Sequence, residues 1–172
     1  RDRTQGGEMP PTPAATSADD ERWLARAVAL ALANVADGGG PFGAVVVRDG
    51  AEVATGTNRV TRDLDPTAHA EVVAIRGACR ALGTFSLAGC TVYSSCEPCP
   101  LCLAATLWSR ADRLVYAADR HDAARAGFDD RRFHELLGTD PATWPTPVHR
   151  HEIPGATAPM DAWLARTDRV EY

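Results

Sequence analysis

The chain contains no lysine; all eighteen basic residues among its 172 are arginine. That absence excludes a Schiff-base lysine, a Walker-type phosphate lysine and a lysine general base. Positive charge is short overall, with a formal net charge of −5. The arginines are scattered singly, apart from Arg131–Arg132, which follow two aspartates. A nucleic-acid binder carries a basic face, so no nucleic-acid partner is expected. Long apolar runs are also missing, and no membrane-spanning segment is expected. No basic segment followed by an apolar one opens the chain, so no secretory signal is visible. Cysteine is scarce and odd in number: Cys79, Cys90, Cys96, Cys99 and Cys102. With three of the five packed together, a disulfide framework does not suit, and a reducing cytoplasm is expected.

What remains is ordinary globular material, 45% hydrophobic and 24% charged, in a length suited to one domain. Residues 1–16, rich in Pro, Thr, Gly and Ala, read as a disordered arm, the residues ahead of Met9 being an added extension. Residues 17–172 are expected to form a single domain with a C-terminal capping segment. Ser17 and Asp20 resemble a capping box ahead of a helix carrying Trp23, Ala27, Leu30, Ala31 and Val35, which Gly38 stops. "FGAVVV" and "EVATG" flank an Asp-Gly turn and predict a hairpin. Asp65 and Pro66 predict the start of a helix running to about Leu82. "CTVYSS" predicts a strand, Pro98 a helix to about Trp108, and "RLVYAA" another strand. Beyond these come a short helix near 130–137, a Pro-rich loop at 138–147, a strand "VHRHEI" (148–153) and a last helix near 159–166, which Trp163 and Leu164 should dock on the body. The alternation predicts a three-layer α/β/α sandwich with a mixed central sheet.

Two stretches carry the chemistry. "PTAHAE" places His69 and Glu71 at the start of one predicted helix, and "SSCEPCPLC" places Cys99 and Cys102 at the start of another. The two cysteines are at i and i+3, on one helical face. Helix starts favour the thiolate form that binds metal. Two thiolates and an imidazole give zinc three protein ligands and leave one position open, which is the catalytic arrangement rather than the structural one. Glu71, two residues from His69, is free to act as general base. A lone histidine beside an apolar helix is ordinarily a core residue, and a lone C-x-x-C can be a redox pair. Together, H-x-E and P-C-x-x-C form the signature of zinc nucleobase deaminases. Cys96 extends the run to an iron–sulfur-like spacing without a fourth cysteine, and reads as a small buried residue. "HRH" (149–151) reads as a solvated strand face, and Trp108 and Phe42 as core by default.

On these motifs the chain resembles the cytidine-deaminase superfamily and, within it, the bacterial guanine deaminases. The stretches that carry the resemblance are "GGPFGAVVVRDG", "DPTAHAEVVAIRGACR", "YSSCEPCPLCLAA", "VYAADRHDAARAGFDD" and the terminal "EY". The first three are shared with transfer-RNA adenosine deaminases; the last two look specific to guanine deaminases. The resemblance implies a cytidine-deaminase-like fold with Zn2+ held by His69, Cys99 and Cys102, and Glu71 shuttling protons. It implies Asp130 as a second catalytic carboxylate. It implies Asn58 hydrogen-bonding the purine, Phe42 stacking on the ring, Ala70 at the substrate, and Trp108 and Tyr172 closing the pocket. The expected reaction converts guanine to xanthine and ammonia, in a homodimer whose C-terminal segments are exchanged between subunits. The loop 119–122 and the segment 138–147 depart from the familiar pattern and bear on which purine fits. Another small substrate (guanosine, cytosine, a triazine), a transfer-RNA adenosine deaminase and a non-enzymatic zinc fold are the alternatives.

Overall fold

Ser17 and Asp20 satisfy each other's backbone N–H groups, so α1 (Ala18–Ala36) begins where the sequence places it. The computed structural model describes residues 17–171; the expected N-terminal arm and Tyr172 lie outside them. Strands β1 (Gly43–Arg48) and β2 (Ala51–Thr57) form the hairpin, turned by Asp49 (φ 52°) and Gly50 (φ 73°). Two successive positive φ values match the right-handed twist of the flanking strands. A short α2 (Val60–Asp63) leads to α3 (Ala70–Leu82), then β3 (Cys90–Cys96), α4 (Pro100–Trp108) and β4 (Arg113–Ala118). Helices α5 (Arg120–Arg125), α6 (Arg131–Leu136) and α7 (Ala158–Ala165) follow, with a 3-10 turn at Pro141–Thr143.

The sheet order is β2-β1-β3-β4, antiparallel except for the parallel β3–β4 pair. Alternation along β1 divides the core. Ala44 and Val46 pack with Ala70, Ala74, Ile75 and Val92 beneath α3, whereas Val45 and Val47 pack with Trp23, Ala27 and Tyr93 beneath α1. Both faces of the sheet are therefore covered, which gives the expected three layers. Each fully buried valine or leucine contributes roughly 1.5–3 kcal/mol. Helix and strand backbones come so close that a Cβ at Gly43 would strike Ala27, and one at Gly56 would strike Ala70. Asp20 lies at the end of this packing. It accepts from Tyr93 Oη at 2.7 Å and from Arg113 Nη2 at 3.0 Å, tying α1 to β3 and β4.

Four expectations are corrected. The helix expected from Pro66 starts at Ala70, because Asp65 instead caps a local turn through Thr67 N (2.8 Å). Likewise α4 starts at Pro100, not Pro98. No strand forms at 148–153; the backbone there is irregular and its side chains are exposed. Trp163 and Leu164 do not dock α7 on the body of this chain, being 38% and 63% exposed. The helix α5 was not foreseen, although Asp119 and Asp122 form a second reciprocal capping box.

Candidate active site

Two helix starts meet at one point. His69 is the N-cap of α3 and Cys99 the N-cap of α4, both in extended backbone conformation, and neither side chain caps its own helix. Those side chains project past the helix ends instead of back onto them. His69 Nδ1 lies 3.4 Å from both Cys99 Sγ and Cys102 Sγ, and the two sulfurs are 3.7 Å apart. A tetrahedral zinc with Zn–S near 2.3 Å and Zn–N near 2.05 Å has S···S edges of about 3.8 Å and S···N edges of about 3.6 Å. The three donors thus fit Zn2+, with one position left over. The Cys102 hydrogen bond and the adjacent His69 hold the Cys99 thiol down to about 4, while Cys102 is pushed up. The pair shares one proton, which a metal cation would displace.

Glu71, 6% exposed in the first turn of α3, stands beside this triangle. Ser94 Oγ donates to its Oε1 at 2.9 Å, and Cys102 Sγ lies 3.2 Å from its Oε2. Burial pushes its carboxyl up, in the direction a group needs if it is to take and return a proton near neutrality. Because His69 is a cap outside the helix, the helical angle between the two residues does not separate them. The separation comes from the side chains.

The triangle and Glu71 form the floor of a cavity of about 520 Å3, also lined by Phe42, Asn58, Phe128, Asp130 and Phe133. Phe42 and Phe128 stand edge to face, 5.0 Å between centroids. Asn58 directly follows β2; its Oδ1 accepts from Val60 N at 3.3 Å. Asp130 precedes α6, and burial pushes its carboxyl up. Ala70 is fully buried in the core cluster beneath α3 and is not part of the cavity wall. Trp108 is the last residue of α4, roughly 13 Å along that helix from Cys99. It is 62% exposed and lines no part of the cavity in this chain. Sequence reasoning missed Phe128, which the "AGFDD" motif contains, and Asn34. The buried Asn34 donates from Nδ2 to the carbonyls of Gly40 (2.8 Å) and Asn58 (2.9 Å), pinning the two loops of the rim together. A polar residue on the inner face of an amphipathic helix was its only signal.

Residues 17–118 match the family described as the cytidine and deoxycytidylate deaminase zinc-binding region. The guanine deaminase of Bacillus subtilis is 46% identical over 153 residues, covering 88% of this chain and 98% of that protein. Its X-ray structure superposes with a TM-score of 0.86 over the same shares. A protein solved in complex with 2,6-diaminopurine, NE0047, is 37% identical with a TM-score of 0.63, covering 64% of this chain and 62% of that one. The transfer-RNA-specific adenosine deaminase of Aquifex aeolicus is 42% identical over 78 residues, or 45% of this chain and 52% of that one.

Proposed function

This chain belongs to the cytidine and deoxycytidylate deaminase family, and from that premise we propose that it hydrolyses guanine to xanthine and ammonia. The observation that carries the reading is a zinc-competent His–Cys–Cys triangle, flanked by a buried glutamate, on the floor of a cavity walled by three aromatic rings. The full-length similarity to the Bacillus subtilis guanine deaminase supports the choice of base. NE0047, which takes a 2-amino purine, supports it further.

When bound by His69, Cys99 and Cys102, zinc supplies the Lewis acidity that makes water nucleophilic near neutral pH. Ser94 fixes one oxygen of Glu71 and leaves the other to accept the proton of the attacking water. As oxygen bonds to C2, Glu71 hands that first proton to the ring nitrogen N3. It then takes the remaining hydroxyl proton and passes it to the amino group as the C2–N bond breaks, so that C2 keeps a carbonyl and the amine leaves as ammonia. Phe42 stacks on the planar ring, and Phe128, packed edge to face against Phe42, helps to exclude water. Asn58 and Asp130 hydrogen-bond its edge, with Asp130 near the reacting amino group.

Residues 17–172 act as one deaminase unit whose C-terminal segment, ending in Tyr172, caps a site. The apolar residues Val148, Ile153, Met160, Leu164 and Val170 are all exposed in the single chain. This supports a homodimer in which each tail covers its partner. The free cysteines and acidic charge suit a cytoplasmic enzyme of purine metabolism.

A substrate panel scored by ammonia release tests the reading. Guanine should be turned over fastest, ahead of guanosine, cytidine, adenine and a transfer-RNA stem-loop, by protein carrying about one zinc per chain. Faster turnover of any other member, or protein without zinc, overturns it.

A further inference from the structure

Asp130 and His134 sit one helical turn apart around the start of α6, where Asp130 O accepts from His134 N at 3.3 Å. Both side chains are mostly covered, 21% and 15% exposed. Asp130 Oδ1 and His134 Nε2 are the two buried side-chain atoms among the described residues that have no hydrogen-bond partner. Buried polar atoms are nearly always paired, so two orphans side by side call for an explanation. His134 Nε2 lies 3.9 Å from the other oxygen of Asp130, Oδ2, and a torsional movement of roughly 1 Å brings the two into hydrogen-bond range. Asp130 lines the cavity; His134 stands behind it and does not.

We propose that His134 is a positioning residue: it holds Oδ2 of Asp130 from behind, so that Oδ1 is presented to an N–H of the purine. The proposal rests on the purine reading above. The other charged groups near this pair are Cys99 and His69 of the triangle, Glu97, after β3, and Arg120, on α5. Glu97 is already engaged by Arg120 through its backbone N, Nε and Nη2. Asp130 therefore remains the acceptor for the imidazole. A bound purine N–H would satisfy the second orphan, Oδ1, which leaves both buried atoms paired in the occupied site.

The test compares His134→Leu, His134→Gln, Asp130→Asn and the His134→Leu/Asp130→Asn double variant. His134→Leu should lower kcat for guanine about 10-fold with zinc content and Tm unchanged. His134→Gln, which keeps a donor at similar reach, should recover to within about 3-fold of wild type. In the Asp130→Asn background, His134→Leu should add less than about 2-fold, since the two residues act as one unit. NMR gives a readout independent of turnover: the His134 imidazole Nε2 resonance, identified by its loss in His134→Gln, should move in Asp130→Asn as its hydrogen-bond acceptor changes. Equal losses in Leu and Gln, multiplicative effects in the double variant, or an unmoved imidazole resonance would overturn the proposal. If wild type releases no ammonia from guanine, the proposed activity fails, and the imidazole resonance alone decides whether the pair exists.

Discussion

Residues 17–118 and residues 119–171 contribute to the same cavity on opposite physical terms. The first region carries the sheet, both core clusters and the His–Cys–Cys triangle, with Glu71 buried beside it. After Ser109, Ala123 is the only buried residue among those described. Yet the second region supplies Phe128 and Asp130 to the cavity wall. A metal site tolerates little displacement of its ligands, and α3, whose N-cap is His69, is anchored through a tightly packed backbone at Gly56. The substrate wall is built on short helices that the chain's own core does not cover. Chemistry is thus fixed by the interior, while part of the recognition wall lies on a segment the chain's own core leaves exposed.

The largest expected effect falls on the interior. Glu71→Gln keeps the shape and the Ser94 contact but loses the base, so kcat for guanine should fall at least ~10²-fold. Zinc content and Tm should stay near wild type. Near-normal turnover would remove the proton-shuttle role and with it the division of labour drawn above.

The outer region is tested at its end. Deleting Tyr172 should lower kcat at least ~10-fold while leaving zinc content and Tm nearly unchanged. Mixing that deletion with Glu71→Gln chains sharpens the comparison. If tails cross between subunits, the intact Glu71 site is capped by its partner and activity returns. A mixture that stays inactive would mean that each tail serves its own chain.

The smallest effect on turnover is expected at the far end of the core. Asp20→Asn weakens the buried contacts to Tyr93 and Arg113, and should cost about 2 kcal/mol, lowering Tm by about 4–8 °C with kcat unaffected. The Arg113 and Tyr93 hydrogen bonds hold the Asp20 carboxyl down to about 2, from the usual 3.8. A depressed carboxylate stabilises the fold above its unfolded value and loses that stabilisation as pH falls through the folded one. Wild type should therefore lose Tm between about pH 4 and about pH 2 more steeply than Asp20→Asn, as thermal melts at stepped pH would show. Parallel slopes would dismiss Asp20 as the cause.

The amino-acid sequence was most informative where local chemistry is self-sufficient. The Ser17–Asp20 box, the Asp49–Gly50 turn and the Cys99–Cys102 spacing are each complete within a few residues. It misled at Pro66, where an aspartate before proline looks like a helix cap but closes a turn. It misled again at 148–153, where a strand-like run has no neighbouring strand to pair with among the described residues. Trp108 was expected over the pocket from resemblance, yet it sits at the opposite end of α4 in this chain.

The sequence by itself determined the ligand types, their spacing and the polarity of the two helix starts, because capping and thiolate stabilisation act over one turn. Only the tertiary structure decided that His69 and Cys99, thirty positions apart, meet within one zinc coordination sphere. The same holds for Ser94 reaching Glu71, and for the way Asn34 ties Gly40 to Asn58. These are contacts between elements, set by how α1, α3 and α4 seat on a twisted sheet, and no local pattern encodes that seating.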